Sequence, residues 1–285
     1  MNLLKSIFIL LTPLLLSSIS IFALYGLIVS EFKLKFLGVL LSSLPLITFL
    51  SVLLIFKNWA RTSVHMLYLT IPSFLGYCLV LYLFLQNQNI HYIYSMLFSM
   101  SAFLSTFMYV YWYSNNSRNK ASLLEINNQL PKFVLKTMEG STINSSSFIG
   151  KKAVLFFYRG NWCPLCMAQI DEVASDYKKF NEMNIETIFI SPQSQQNTQK
   201  LAQKYDLPFQ FYIDESHQAA IKLGLLHKSG LPMGFQALGY DSDSVYPTII
   251  AIDETGKIIY SDQTSNYRVR PEPKDILDVY YKKLI

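Results

Sequence analysis

Two cysteines, Cys163 and Cys166, stand three residues apart in the segment Trp162-Cys163-Pro164-Leu165-Cys166. The apolar run at 153–158 before them has the length of a strand, and residues 167–180 after them carry apolar side chains at helical spacing. We therefore expect both cysteines at a strand-to-helix turn, where unpaired backbone N–H groups and the helix dipole favour the reactive thiolate. Two cysteines on one helical turn can also join in a disulfide, so the pattern predicts a redox pair.

A zinc half-site is the main alternative for two cysteines at this spacing. A structural zinc ion needs two further Cys or His ligands at close spacing. The remaining cysteine, Cys78, lies in an apolar stretch far upstream, and His217 and His227 are isolated and expected at the surface. The sequence therefore favours redox chemistry, with no metal and no cofactor beyond the disulfide that Cys163 and Cys166 would form.

The front of the chain has the composition of a membrane protein. Of its 285 residues, 51% are apolar and only 15% are charged. Residues 1–120 contain seven Lys or Arg residues and one acid, whereas the remainder contains 17 basic and 18 acidic residues. The net charge of +5 thus arises in the front part, and the back part lacks the basic stripe that binding to nucleic acid requires.

Four nearly uncharged segments, at 6–29, 36–56, 63–85 and 91–113, are each long enough to cross a bilayer as a helix. A soluble helix must show a polar face to water, which disfavours a buried soluble bundle here. A cleaved signal peptide is the alternative for the first segment, but no clear cleavage site follows it. We expect residues 1–114 to form an all-α, four-helix transmembrane domain in the lipid bilayer of the cell membrane.

The distribution of Lys and Arg residues in short loops predicts the orientation of such a domain. If both ends of the transmembrane domain lie on the same side of the membrane, five basic residues lie on that side. Two basic residues, Lys33 and Lys35, then lie on the opposite side. We therefore expect both ends, and the redox domain with them, in the cytoplasm. The five residues on the inner side are Lys5, Lys57, Arg61, Arg118 and Lys120.

A polar linker at 115–129 leads to a second domain at 130–285. Apolar strands alternate there with amphipathic helices, and the last two strands form a hairpin around Thr255-Gly256. The segment at 225–245, which is rich in Gly and Pro, is predicted to be a loop. This order of elements predicts an α/β fold in which helices flank a central mixed sheet.

Several motifs of the second domain occur in the order that one known family shows. They are Arg159-Gly160-x-Trp162-Cys163-Pro164-x-Cys166, Ser191-Pro192-Gln193, Leu207-Pro208-Phe209, Tyr246-Pro247-Thr248 and Asp253-x-x-Gly256. With these motifs the segment from Leu130 onward resembles the alkyl hydroperoxide reductase/thiol-specific antioxidant family, the peroxiredoxin-like branch of the thioredoxin superfamily. The resemblance implies a thioredoxin-like fold, a thiol-dependent oxidoreductase activity, and a thioredoxin-like protein as reductant.

The resemblance also suggests the roles of the two cysteines. Cys163 follows Trp162, takes the more exposed position of the pair, and would attack a peroxide or a protein disulfide as a thiolate. Cys166 would then resolve the product into a disulfide. A non-enzymatic redox sensor, in which the state of this pair biases the helical bundle, remains open as the alternative function.

Three further residues are expected at the site. Pro247 resembles the cis-proline that lies against the cysteine pair in this superfamily. The positive charges of Arg159 and Arg270 would lower a thiol pKa or polarise the O–O bond of a peroxide. Arg268, which lies two residues before Arg270, is expected at the surface.

Overall fold

The computed structural model describes residues 2–56, 59–87 and 89–284, and Lys57, which entered the prediction of orientation, lies outside these ranges. The described residues form two compact units. The first unit contains residues 3–56 and 62–115, and the second contains residues 59–61 and 116–284 together with residue 2.

Long helices make up the first unit. They are α1 (Asn2–Val29), α2 (Lys33–Phe56), α3 (Leu67–Asn87) and α4 (Ile90–Phe107), and α4 continues as a π-helical turn at Met108–Tyr113. All four helices are long and apolar enough to cross a membrane. The four predicted apolar helices are therefore confirmed in number and approximate position.

Helices α2 and α3 approach closely where small residues face each other. A Cβ atom added to Gly76 would lie only 2.5 Å from the carbonyl oxygen of Gly38 and 2.6 Å from Ser42 Oγ. The hydroxyl of Ser73 donates a hydrogen bond to the carbonyl oxygen of Ser42 at 2.8 Å. Small residues and interhelical hydrogen bonds are the usual means by which apolar helices associate inside a bilayer.

The second unit is built on two sheets. Their strands are β1 (Val134–Lys136), β2 (Thr142–Asn144), β3 (Lys152–Phe157), β4 (Ile185–Ser191), β5 (Gln210–Ile213), β6 (Leu226–His227), β7 (Ser244–Val245), β8 (Thr248–Ile252) and β9 (Ile258–Asp262). The large sheet has the strand order β2-β1-β5-β4-β3-β8-β9, and β6 pairs with β7. Strand β3 runs parallel to β4 and antiparallel to β8, so the large sheet is mixed. The predicted thioredoxin-like α/β fold is thus confirmed.

Five helices accompany the sheets, namely α5 (Pro164–Ser175), α6 (Tyr177–Glu182), α7 (Gln195–Ala202), α8 (Gln218–Lys222) and α9 (Pro273–Leu284). The helix predicted at 167–180 begins earlier, because Pro164 occupies the first helical position, where a missing N–H carries no cost. It also breaks at Asp176, which separates α5 from α6. Helix α5 thereby starts directly at the cysteine pair.

The segment predicted as a loop at 225–245 is partly ordered. The ends of this segment pair as β6 and β7. Residues 228–243 between them contain a short 3-10 turn at Phe235–Leu238, and we call them the 228–243 loop. The centre of the large sheet is buried, and the Tyr280 hydroxyl of α9 lies 2.8 Å from the carbonyl oxygen of Ala153 and 3.0 Å from that of Ile252. Helix α9 thus contacts both β3 and β8 through the Tyr280 hydroxyl.

Candidate functional site

The two cysteines lie where β3 leads into α5, as the sequence predicts. Cys163 immediately precedes the first helical residue, and Cys166 lies in the first turn of the helix. Their sulfur atoms are 2.7 Å apart, and both residues are thiols in this structure. The zinc alternative finds no support in the described ranges, where no three His, Cys, Asp or Glu side chains cluster as metal ligands.

Both sulfur atoms are enclosed by protein, and Cys163 is only slightly the more exposed of the two. Cys163 is 2% exposed and Cys166 is 1% exposed. Arg270, far along the chain, contacts α5 through Gln169. Arg270 is itself only 6% exposed and occupies the space beside both sulfur atoms.

Arg270 is held in a fixed orientation against the pair. Its Nη2 atom lies 3.4 Å from Cys166 Sγ and 3.9 Å from Cys163 Sγ. Its Nη1 atom donates a hydrogen bond to Gln169 Oε1 at 2.9 Å, and its Nε atom donates to the carbonyl oxygen of Tyr267 at 3.0 Å. All three guanidinium nitrogens are thus engaged, and the structure brings Arg270 to the site as predicted.

Burial and the charge of Arg270 act on the two thiols in opposite directions. Burial, reinforced by the hydrogen bond with Cys166, raises the pKa of Cys163 well above its ordinary value. Burial also acts to raise the pKa of Cys166, but the hydrogen bond with Cys163 and the nearby guanidinium outweigh it and lower that pKa well below its ordinary value. The surroundings of the pair thus favour negative charge on Cys166 over negative charge on Cys163.

Arg159 serves the site differently from Arg270. Its guanidinium lies 4.4 Å from the centre of the Trp162 ring and 5.6 Å from that of Tyr267, and it donates a hydrogen bond to the carbonyl oxygen of Gly230. The side chain of Arg159 therefore fixes the position of Trp162 and of the 228–243 loop.

The turn between β3 and the cysteine pair depends on Gly160 and Gln193. Gly160 has a φ of +138°, and an added Cβ atom would lie 2.9 Å from Cδ1 and Nε1 of Trp162. The side chain of Gln193 accepts a hydrogen bond from the N–H of Asn161 at 2.8 Å and donates one to the hydroxyl of Tyr158 at 3.1 Å. These contacts fix the backbone immediately before Cys163.

Pro247 does not have the expected cis bond, because every peptide bond within residues 2–56, 59–87 and 89–284 is trans. For a bond to proline the trans form is favoured by about 0.5–1 kcal/mol, so the cis form needs a specific constraint. Here Arg118 Nη1 binds the carbonyl oxygen of Pro247 at 3.2 Å and the hydroxyl of Thr248 at 2.9 Å. The expectation of a cis-proline is therefore corrected.

Three residues expected at the surface are buried, namely His217, His227 and Arg268. Arg268 is fully enclosed, and His227 stacks on Tyr246 with ring centres 4.4 Å apart. The prediction was wrong because the residue type alone does not indicate which distant segment covers a polar side chain in a loop.

The sequence interpretation missed two residues that support Arg270. Gln169 lies one helical turn after Cys166 and therefore on the same face of α5, so its spacing could have identified it. Arg61, which belongs to the second unit, donates from Nε to the carbonyl oxygen of Arg270 at 3.0 Å and forms an ion pair with Glu172. Arg61 lies 209 residues before Arg270, and no local signal connects them.

Replacing Gln169 by leucine is expected to destabilise the folded protein by about 1–3 kcal/mol, because it leaves a buried donor of Arg270 without its acceptor. The measurement is the unfolding transition of the full-length chain in detergent. A matched control is Gln199→Leu, since Gln199 is exposed and its hydrogen bond to the carbonyl oxygen of Met138, at 3.0 Å, can be replaced by water. Equal transitions for both variants would contradict the support that we assign to Gln169.

Comparison with known proteins finds relatives of the segment that contains the cysteine pair. Residues 126–261 match the family model described as AhpC/TSA family. Peroxiredoxin Bcp of Bacillus subtilis is 32% identical over 97 residues, which are 34% of this chain and 62% of that protein. The thiol-disulfide oxidoreductase ResA of Bacillus cereus is 26% identical over 167 residues, which are 58% of this chain and 82% of that protein.

Among solved structures, the crystal structure of peroxidoxin BcpB from Mycobacterium tuberculosis is similar to this chain, with a TM-score of 0.47 and 19% sequence identity. The similar region covers 56% of this chain and 97% of that one. The match to the Bacillus subtilis protein spans less than two thirds of that relative's length.

Proposed function

We propose that the protein is a thiol-dependent oxidoreductase that reduces small hydroperoxides through Cys163 and Cys166, and the match of residues 126–261 to the AhpC/TSA family model supports this proposal. One observation carries this proposal. An enclosed pair of thiols has a buried guanidinium 3.4 Å from one sulfur atom, which favours a thiolate and can stabilise negative charge that develops on a peroxide oxygen.

The reaction has two steps in this proposal. A thiolate of the pair attacks one oxygen of the hydroperoxide, the O–O bond breaks, and a sulfenic acid and an alcohol result. The other thiol then attacks the sulfenic sulfur, so that a disulfide forms and water leaves. A dithiol protein of the thioredoxin type would supply the two electrons that return the disulfide to the reduced pair.

The burial of the pair supports a small substrate. A protein disulfide must bring its own sulfur into line with the attacking sulfur, which requires an exposed thiolate. With Cys163 and Cys166 both nearly inaccessible, a hydroperoxide of a few atoms needs a much smaller opening than a protein does. Reduction of disulfides is the second candidate, and the similarity to ResA over most of that protein's length favours it.

We further propose that the first unit anchors the protein in a bilayer. Four helices of suitable length and hydropathy support this role. The distribution of Lys and Arg residues favours a cytoplasmic position for the redox domain, where thioredoxin-type reductants are present.

The proposal is tested by rapid mixing of the reduced full-length chain in detergent with hydrogen peroxide, an alkyl hydroperoxide and a small model disulfide. We expect the hydroperoxides to react at least about tenfold faster than the disulfide, with the loss of two thiols per chain. Cys163→Ser and Cys166→Ser should each abolish the formation of the disulfide. Cys78→Ser should react as the wild type does, since Cys78 lies in α3.

Two outcomes would contradict the proposal. A faster reaction with the model disulfide would favour the second candidate. Unchanged thiol content with all three substrates would exclude both enzymatic functions.

A further inference from the structure

We propose that Cys166 carries the negative charge of the pair and makes the first attack, whereas Cys163 holds the proton and resolves the product. This inference rests on the proposed function and differs from the order expected from the sequence, in which Cys163 attacks first. It is carried by the hydrogen-bond donors that surround each sulfur atom.

The guanidinium of Arg270 donates to the sulfur of Cys166 at 3.4 Å, and Cys166 lies in the first turn of α5. Unpaired backbone N–H groups and the positive end of the helix dipole favour negative charge at that position. A buried anion is stable only where charged or hydrogen-bonding groups compensate for lost water. The surroundings of Cys166 meet this requirement with the guanidinium of Arg270 and the start of α5.

The sulfur of Cys163 has a weaker set of contacts. Its distance to Arg270 Nη2 is 3.9 Å, which is 0.5 Å longer than the distance from Cys166. Cys163 also lies just before the first helical residue, and its side chain accepts no hydrogen bond from a backbone N–H of the first helical turn. The N–H of Cys166 donates to the carbonyl oxygen of Cys163 instead, at 3.1 Å. The nearer guanidinium therefore compensates a negative charge better on Cys166 than on Cys163, which leaves the proton of the pair to Cys163.

This arrangement gives a balanced reaction. The thiolate of Cys166 bonds to one oxygen of the hydroperoxide, and the departing alkoxide takes the proton of Cys163, so an alcohol leaves. Cys163 is thereby a thiolate at the moment when Cys166 becomes a sulfenic acid. Cys163 then attacks the sulfur of Cys166, hydroxide departs and takes a proton from solvent, and the disulfide forms.

The test uses single-cysteine chains in a Cys78→Ser background, with the full-length protein in detergent. In Cys163→Ser, the thiol of Cys166 should titrate at least one pH unit below the value of about 8.5 that an ordinary thiol shows. At pH 7 its reaction with iodoacetamide should be about tenfold faster than that of Cys163 in Cys166→Ser. Added hydrogen peroxide followed by dimedone should give a sulfenic adduct on Cys166 alone.

A second measurement needs no substitution at the site and so guards against misfolding of the variants. The reduced wild-type chain is treated with less than one equivalent of iodoacetamide, digested and mapped by mass spectrometry. Preferential alkylation of Cys166 supports the inference, and preferential alkylation of Cys163 overturns it.

Different outcomes would overturn this inference and the proposed function. A wild-type chain that consumes peroxide while the sulfenic adduct forms on Cys163 would overturn only this inference. A wild-type chain that consumes no peroxide, with no adduct on either cysteine, would overturn the proposed function itself.

Discussion

Replacing Arg270 by methionine is expected to slow the reaction of the reduced protein with hydrogen peroxide by about 10²–10³-fold at pH 7, which is the usual loss on removal of one charge-stabilising donor. The substitution keeps much of the volume but removes the positive charge 3.4 Å from Cys166. The measurement is the second-order rate constant from rapid mixing. Arg270→Lys is the matched control and should recover part of the rate, because it restores a charge without the planar fork.

The pH dependence of these variants distinguishes a lost charge from a damaged fold. The guanidinium helps to hold the pKa of Cys166 below its ordinary value, so we expect a larger fraction of this thiol to be ionised at neutral pH than of an ordinary thiol. In Arg270→Met that pKa rises, and the rate should climb as pH increases through about 8.5, where ordinary thiols ionise. A variant whose rate is reduced by the same factor at pH 7 and pH 9 would contradict this role of Arg270.

Replacing Gly160 by alanine is expected to destabilise the protein by about 1–3 kcal/mol from backbone strain, and by more through the clash with Trp162. The left-handed φ of +138° is poorly tolerated by any residue with a Cβ atom, and that atom would meet the indole ring at 2.9 Å. Because Trp162 directly precedes Cys163, we also expect at least a tenfold slower reaction with peroxide. Unfolding transitions and rapid mixing measure the two effects separately.

Gly140 offers a control for the contribution of backbone strain. It has a φ of +87°, and an added Cβ atom would meet no other atom within 4 Å. Gly140→Ala should therefore show the cost of the left-handed backbone alone and should react with peroxide as the wild type does. Equal losses of stability and of rate in both variants would show that contact with Trp162 does not matter.

The elements that position the site were predictable because their patterns are local. The run at 153–158 is apolar throughout, since β3 lies in the middle of the large sheet and is buried along nearly its whole length. The Cys-x-x-Cys spacing between this strand and a helical pattern located both cysteines correctly. Four apolar segments likewise predicted α1 to α4, because membrane-spanning helices need about twenty such residues in succession.

The chemistry of the pair was not predictable to the same degree, because it depends on residues far apart in the chain. Arg270 lies 104 residues after Cys166, and the sequence shows its type but not the direction of its side chain. Arg159 was an equally reasonable source of charge by its position four residues before Cys163. In the structure the guanidinium of Arg159 lies over the indole ring of Trp162, whereas that of Arg270 lies beside the sulfur atoms.

The long separation between Arg270 and the two cysteines also has a consequence for synthesis of the protein. A ribosome releases Cys163 and Cys166 more than a hundred residues before it releases the arginine that contacts them. Until then the two sulfur atoms of the nascent domain lack the guanidinium of Arg270. We expect both cysteines to behave as ordinary thiols in that state. The reactive state of the pair thus forms only after the segment that contains Arg270 has been synthesised.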